Sequence, residues 1–246
     1  MDAVSLTGMV LSAMPVGDYD KRLVILTKER GRITAFAKGA RRQNSALLAC
    51  SQPFSFGEFF VYESRNSFRV VSVNIQNYFA ELREDLGSVY YGLYFCELAD
   101  YLTQENMDGT LILKLLYQSF RALIKKTIDL KLIRYIFELK IIALNGEAPQ
   151  VFECISCGNT QELEWFSPTA PGVLCSECKR QSNDARRIRS STIYTMQYIL
   201  ATDVVKLFNF TVTNEVLWEL SKCMDAYRKL VIEKEMKSLE LIEILS

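Results

Sequence analysis

Hydrophobic residues follow two different spacings along the chain, and the change falls near residue 80. The first 80 residues contain five short segments rich in Val, Ile, Phe, Tyr and Thr, a composition typical of β-strands. The segments are residues 4–14, 22–27, 32–38, 54–63 and 67–75. Five short strands in so few residues predict a small closed barrel, and the five-stranded barrel commonly used to bind single-stranded nucleic acid is the OB-fold.

Turn residues separate these segments where hairpins require them. Lys28-Glu29-Arg30-Gly31 lies between the second and third segments, and Gly31 can adopt the positive φ that such a turn needs. Ser64-Arg65-Asn66-Ser67 separates the fourth segment from the fifth in the same way. Both stretches therefore predict β-hairpins.

From about Phe79 onward apolar residues recur three and four positions apart, which predicts helices. The first helix carries this pattern from Val89 to Leu102, and others are predicted at 109–126, 129–145, 191–201 and 214–233, the last with Thr213 as its N-cap. We expect an α+β, multi-domain protein: an OB-fold domain at 1–80, then an all-helical domain at 81–246. A turn-rich insert at about 150–189 interrupts the helical domain.

Four cysteines in this insert form the most specific motif of the sequence. Cys154 and Cys157 make one C-x₂-C pair, and seventeen residues later Cys175 and Cys178 make another. This spacing is typical of a structural zinc site, in which four thiolates close a tetrahedron and leave no position for water. The alternative is four unliganded or redox-active thiols. We expect one structural Zn²⁺ per chain, whereas Cys50, Cys96 and Cys223 lie among apolar neighbours as small core residues.

The chain has no histidine, which excludes Ser-His and Cys-His nucleophile pairs and imidazole acid–base chemistry. It also lacks the phosphate-binding G-x-x-x-x-G-K-[ST] loop and the G-x-S-x-G nucleophile motif. We therefore expect no catalytic site. Seven cysteines is an odd number for a disulfide framework, and neither a signal peptide nor a membrane span is evident, so a cytoplasmic, nucleoid-associated location is expected.

The formal net charge of zero conceals a cationic segment near the N-terminus. Between Asp18 and Arg42 there are eight Lys or Arg residues and only three acidic ones. Such a density suits contact with phosphates, although charged hairpins are commonly just solvated. The predicted nucleic-acid-binding residues here are Lys21, Arg22, Arg30, Arg32, Lys38, Arg41 and Arg42. A second basic group beside the cysteine insert could extend the contact: Lys179, Arg180, Arg186 and Arg187.

Several stretches together resemble the bacterial recombination mediator family RecO. They occur in order along nearly the whole chain: Gly8–Leu11, Asp20–Thr27, Gly31–Arg41, Gln52–Phe54, Gly92–Tyr94, Glu97–Leu98, the four cysteines and Met236–Leu239. The Ala-Lys-Gly-Ala-Arg sequence ending at Arg41, combined with the downstream cysteines, makes the resemblance specific.

The resemblance implies an OB-fold joined to a helical domain with a zinc finger, binding both single- and double-stranded DNA. It further implies strand annealing, contact with the C-terminal tail of single-stranded-DNA-binding protein and, together with RecR, loading of RecA. An acidic tail needs an apolar pocket with a cation for its carboxylate, and Arg134 beside Phe137 is the candidate.

Two other functions remain open at this stage. A zinc-ribbon metal-dependent nuclease would need a second cluster of carboxylates, and Asp18, Asp20 and Glu58 form no recognised motif. An RNA-binding factor could use the same barrel, because stacking and phosphate contacts do not by themselves distinguish RNA from DNA.

Overall fold

A computed structural model describes residues 3–65 and 67–245 of the chain. Its residues form two compact units. Unit 1 comprises the described residues up to Ile124 and those from Met236 onward, and unit 2 comprises Lys125–Glu235. None of the helices in these residues has the length and apolar character needed to cross a membrane.

A closed five-stranded barrel forms the N-terminal part of unit 1, as the sequence predicts. The strands are β1 (Val4–Val16), β2 (Asp20–Thr27), β3 (Gly31–Ala37), β4 (Phe56–Ser64) and β5 (Ser67–Asn77), in the order β1-β2-β3-β5-β4. Neighbouring strands are antiparallel except β3 and β5. Alternate side chains point inward because a strand repeats every two residues, and Leu6, Ile25, Ile33 and Phe59 fill the interior.

The predicted turn at Gly31 is confirmed. Gly31 has φ +63°, and a Cβ there would lie 2.3 Å from the carbonyl oxygen of Gln104, so both backbone conformation and space require glycine. The β4–β5 hairpin is also present, although Asn66 of its predicted turn lies outside the described residues. Strand β4 begins at Phe56, later than predicted, because Phe54 adopts φ +74° in the preceding turn.

Seven α-helices are assigned within the described ranges, and they divide between the units. They are α1 (Leu47–Cys50), α2 (Leu86–Leu102), α3 (Thr110–Lys125), α4 (Leu130–Leu144), α5 (Ser190–Ala201), α6 (Asn214–Val231) and α7 (Lys237–Leu245). Neither the short helix α1 nor α7 was predicted. The predicted N-cap Thr213 is confirmed, since its side chain accepts a hydrogen bond from the Val216 N–H.

Helices α2, α3 and α7 belong to unit 1 with the barrel. Aromatic packing contributes to this unit, because the Phe120 ring of α3 lies 5.2 Å from Phe54 and 5.3 Å from Phe79 between ring centroids. Helix α7 returns to pack on α2, where the Ser238 N–H donates to a Glu97 carboxylate oxygen at 3.0 Å. Independent folding of residues 1–80 stays a prediction.

Unit 2 contains α4, α5 and α6 and the predicted insert, which is built on a small antiparallel sheet. Its strands are β6 (Leu163–Ser167), β7 (Gly172–Cys175) and β8 (Arg186–Arg187), in the order β7-β6-β8. The sheet brings the second cysteine pair, which begins at the last residue of β7, back to the first pair. The fold class expected from the sequence is therefore confirmed: a barrel, then helices, with a four-cysteine insert between them.

Candidate nucleic-acid interface and metal centre

One end of the barrel carries a group of exposed cations on two adjacent loops. The β1–β2 turn contains Tyr19, and the segment after β3 contains Lys38, Arg41 and Arg42. Two hydrogen bonds hold these loops together: the Arg41 N–H donates to the Tyr19 carbonyl at 2.8 Å, and the Gly39 N–H donates to the Asp20 carboxylate at 2.7 Å. We call Tyr19, Arg22, Lys38, Arg41 and Arg42 the barrel patch.

The cations of the barrel patch are available to solvent. Lys38 is exposed and has no side-chain hydrogen bond or ion pair with any residue in the described ranges. The Arg41 guanidinium donates to the Gly17 carbonyl at 3.1 Å, and the Arg42 guanidinium lies 5.1 Å from the centroid of the Tyr19 ring. Because none of these contacts involves a carboxylate, each cation can still approach a phosphate.

Three other cations predicted in this region have structural contacts instead. The Lys21 ammonium donates to the Ser51 carbonyl at 3.0 Å, and partial burial lowers its pKa. Arg32 donates to the Thr103 carbonyl at 2.9 Å and to Asp100 at 3.0 Å, and Arg30 is 3.5 Å from Glu63.

Arg30 and Arg32 also lie at the opposite end of the β2–β3 hairpin from the barrel patch. A strand rises about 3.3 Å per residue, so the eight residues of β2 separate the two ends by roughly 23 Å. The predicted cationic segment is therefore not one continuous surface.

Tyr19 is the residue in this patch that sequence reasoning missed. It is 52% exposed, whereas Phe54, Phe59 and Phe68 of the same barrel are buried. A signal was present in the sequence, since an aromatic residue flanked by Asp18 and Asp20 in a turn has no core to enter. An exposed ring beside cations offers a stacking surface for a base.

The four cysteines of the insert converge as the spacing predicts. Their Sγ atoms all lie within 4.8 Å of one another, and those of Cys157 and Cys175 are 3.8 Å apart. A zinc ion with Zn–S bonds of about 2.3 Å sets sulfur–sulfur edges of about 3.8 Å in a regular tetrahedron. A disulfide would need about 2.05 Å, and all four thiols are free. The donor set and spacing therefore fit a tetrahedral thiolate-binding metal.

The surroundings of the Cys154 sulfur stabilise its thiolate form. Burial alone would raise the pKa of Cys154, but N–H groups of Cys175, Cys157 and Ser156 outweigh it and lower the pKa to about 6. The pKa of Cys157 is raised to about 12, because neighbouring sulfurs oppose a second negative charge more than the Asn159 N–H favours it. A divalent cation would remove this repulsion.

Two of the four cations in the second predicted basic group contact other side chains of the insert. The Arg187 guanidinium pairs with Glu164 at 3.0 Å, and the Lys179 ammonium lies 5.4 Å from the Trp165 ring centroid. Arg180 and Arg186 are exposed and have no polar side-chain partner among residues 3–65 and 67–245. The acidic residue of this stretch, Asp184, accepts hydrogen bonds from Ser167, Ser182 and Thr169 within the insert.

The predicted tail pocket lies inside unit 2. Arg134 is only 5% exposed, and its guanidinium donates to Glu138 at 2.8 Å and to Asp225 at 2.7 Å. Phe137 is fully buried. A carboxylate from outside could reach the guanidinium only by displacing Asp225, so the structure gives these two residues a place in the helical core.

The fold and these sites define a class of protein with a five-stranded OB-like barrel and a helical unit that carries a four-cysteine group able to hold a metal ion. The family descriptions "Recombination protein O N terminal" and "Recombination protein O C terminal" match residues 1–79 and 83–240. The chain belongs to the recombination protein O (RecO) family.

Named relatives match along nearly the full length. A protein named DNA repair protein RecO from Alkaliphilus metalliredigens is 34% identical over 89% of this chain and 90% of its own. Proteins of the same name from Acetivibrio thermocellus and Caldicellulosiruptor saccharolyticus are each 30% identical, over 100% of this chain and 98% and 100% of theirs.

Proposed function

We propose that this protein is a recombination mediator in DNA repair, which binds single- and double-stranded DNA through the barrel patch and promotes annealing of complementary strands. Membership of the RecO family supports the repair role. The observation that carries the binding surface is the pair of hydrogen-bonded loops that present Lys38, Arg41 and Arg42 beside an exposed Tyr19.

Annealing needs no reaction centre in the protein. Two strands repel each other through their phosphates, and cations that neutralise this repulsion while leaving bases accessible lower the barrier to pairing. The barrel patch has the groups for this task, and we propose that the chain acts without catalysis. Two of the three acids considered for a nuclease have other contacts: Asp20 accepts from the Gly39 N–H, and Glu58 accepts from the Ser5 hydroxyl at 2.5 Å.

The cysteine quartet is proposed to hold one Zn²⁺. The ion would fix the insert by joining its two cysteine pairs, and four protein ligands would leave it no open position for chemistry. The partners proposed on family grounds are RecR, the C-terminal tail of single-stranded-DNA-binding protein and, indirectly, RecA. Arg134 and Phe137 stay the proposed pocket for this tail, which would have to displace Asp225 to reach the buried guanidinium.

Oligonucleotide binding at several salt concentrations tests the proposal. Removing two patch cations, Lys38→Ala with Arg42→Ala, should weaken binding and make the dependence of log K on log salt less steep by about 1.4 for a single strand. The matched control is Lys28→Ala with Arg30→Ala, which removes the same charge from the other end of the same hairpin and should leave the slope unchanged.

Three results would reject the barrel patch or the function. If Lys38→Ala with Arg42→Ala has the same salt dependence of binding as the control Lys28→Ala with Arg30→Ala, the barrel patch does not contact phosphates. Magnesium-dependent cleavage lost on changing Asp18 or Asp20 would favour a nuclease. Consistently tighter binding to RNA than to a DNA strand of matched sequence would favour the RNA-binding alternative.

A further inference from the structure

Unit 2 has a small apolar hollow between its sheet and helix α6. The hollow has a volume of about 120 Å³. Its apolar lining comes from both elements: Phe166, Pro168, Ile188, Cys223 and Ala226. An apolar recess of this kind excludes water from whatever enters it, so an occupant with a flat apolar face would gain from burial.

Aromatic and cationic side chains surround this hollow. Trp218 of α6 also lines it and is 62% exposed, which is unusual for the largest apolar side chain. Lys222 follows one helical turn later, and its ammonium lies 5.7 Å from the centroid of the indole ring. Arg186 stands opposite Phe166 across the β6–β8 pair, so its side chain leaves the sheet on the same face. We call these residues and the recess the Trp218 hollow.

The acidic residue of this region does not cancel the charge. Glu219 lines the hollow, but its carboxylate accepts hydrogen bonds from the Arg189 N–H at 2.8 Å and the Thr192 hydroxyl at 2.6 Å, and it pairs with the Arg189 guanidinium. Arg186 and Lys222 are both exposed, and neither has a carboxylate partner within the described ranges. The rim therefore presents unneutralised positive charge next to an aromatic ring.

We infer that the Trp218 hollow is a second nucleic-acid site, which stacks one unpaired base on the indole and holds the neighbouring phosphates with Lys222 and Arg186. A flat base needs an aromatic face, and its backbone needs cations at the edge of that face, which is the combination present. The site rests on the proposed function, and it selects single strands because a duplex offers no unstacked base.

Tryptophan fluorescence tests the inference directly, because the chain has only two tryptophans. In Trp165→Phe the emission reports Trp218 alone, and in Trp218→Phe it reports Trp165 alone. The full-length, metal-loaded protein is titrated with a labelled oligo(dT), so that anisotropy gives binding in the same sample. We expect strong quenching of Trp218 by oligo(dT), weak quenching by an abasic strand of equal length, and none by a blunt duplex that binds to saturation.

Affinity provides a second measurement that does not depend on fluorescence. Trp218→Ala should weaken single-strand binding about tenfold, and Trp218→Phe should restore most of it because a phenyl ring still stacks. Tyr194→Ala is the control, since Tyr194 is similarly exposed at 67% in the same unit but does not line the hollow. It should bind as the wild type does.

The possible failures are distinguishable. If the wild type binds oligo(dT) by anisotropy while Trp218 emission and the affinity of Trp218→Ala do not change, the inference is wrong and the barrel patch stands. Quenching by a polyglutamate peptide but not by oligo(dT) would assign the hollow to an acidic protein partner and also overturn the inference. Absence of any oligonucleotide binding by the wild type would overturn both proposals.

Discussion

At the scale of single residues, contacts decide which predicted cations remain available. Lys38 and Arg32 belong to the same hairpin and carry the same charge, yet Lys38 is exposed without an acidic partner and Arg32 is bound to Asp100 and the Thr103 carbonyl. A cation already paired in this way must give up its bonds before it can meet a phosphate. Charge counting alone therefore overstates the number of cations that are available to a phosphate.

Tyr19 should contribute to single-strand binding by stacking. Tyr19→Ala is expected to lose about 1–3 kcal/mol of binding free energy to oligo(dT), because base–aromatic stacking is worth that much per base. Tyr19→Phe keeps the ring and should bind nearly as the wild type does. The exposed Tyr78 serves as control, and a loss of equal size in Tyr78→Ala would show that the effect is not specific to the patch.

Asp184 should make the insert sensitive to acid. Burial opposes its ionisation, but hydrogen bonds from the Ser167 and Ser182 hydroxyls and the Thr169 N–H dominate and hold its pKa well below the ordinary 3.8. A carboxyl group with a lowered folded-state pKa stabilises the fold above its unfolded pKa, and this contribution disappears as the pH falls below about 4.

Asp184→Asn should accordingly lower the stability of unit 2 by roughly 1–2 kcal/mol at neutral pH and make it less dependent on pH between 4 and 2. Urea unfolding followed by tryptophan fluorescence reports this unit, because both Trp165 and Trp218 belong to it. Parallel pH profiles for the variant and the wild type would contradict the role assigned to this carboxylate.

At the scale of elements, we expect a bound metal to contribute to the stability of the insert. Its strands are short, with five, four and two residues in β6, β7 and β8, and a sheet of this size is marginal without a further constraint. A metal held by the two cysteine pairs would supply that constraint by joining distant parts of the insert. We therefore expect metal binding and folding of the insert to be coupled.

Removing one ligand should release the ion. Cys175→Ser, or a strong chelator, is expected to abolish the one-to-one zinc content and to expose residues 150–189 to rapid hydrogen exchange, while the barrel stays protected. Cys50→Ala is the control, since Cys50 is buried in unit 1 and lies outside the quartet. Reduced, purified wild type without zinc, cobalt or iron by elemental analysis would exclude a metal centre.

At the scale of the whole molecule, unit 1 combines two distant segments of the chain, the residues up to Ile124 and those from Met236 onward. Helix α7 follows unit 2 in sequence but packs on α2, burying Met236, Leu239 and Ile242. The Glu97 carboxylate also accepts from the Ser238 N–H and hydroxyl. The C-terminal segment thus completes a unit that begins at the N-terminus.

Deleting residues 236–246 should destabilise unit 1 by about 3 kcal/mol or more, because several buried apolar side chains are lost together. The expected signs are a lower melting temperature and faster hydrogen exchange in α2, with little change in the tryptophan signal of unit 2. The triple variant Glu235→Ala, Lys237→Ala, Glu240→Ala keeps the apolar contacts of the segment and should unfold like the wild type. Unchanged exchange in α2 after the deletion would contradict this role of α7.

Much of this architecture is readable from the sequence, because it depends on local rules. The strand segments, Gly31, the Thr213 cap and the cysteine spacing each follow from backbone geometry or ligand chemistry within a few residues, and the structure confirms them. Tertiary structure alone decided the rest. Contacts between distant residues pair Arg32 with Asp100 and Arg134 with Asp225. They also hold Tyr19 against loop 38–42 and place Trp218 beside Arg186. Helix α7 packs on α2 through contacts of the same kind. Such contacts join positions far apart in the chain, and no local spacing encodes which cation meets a carboxylate and which is left for solvent.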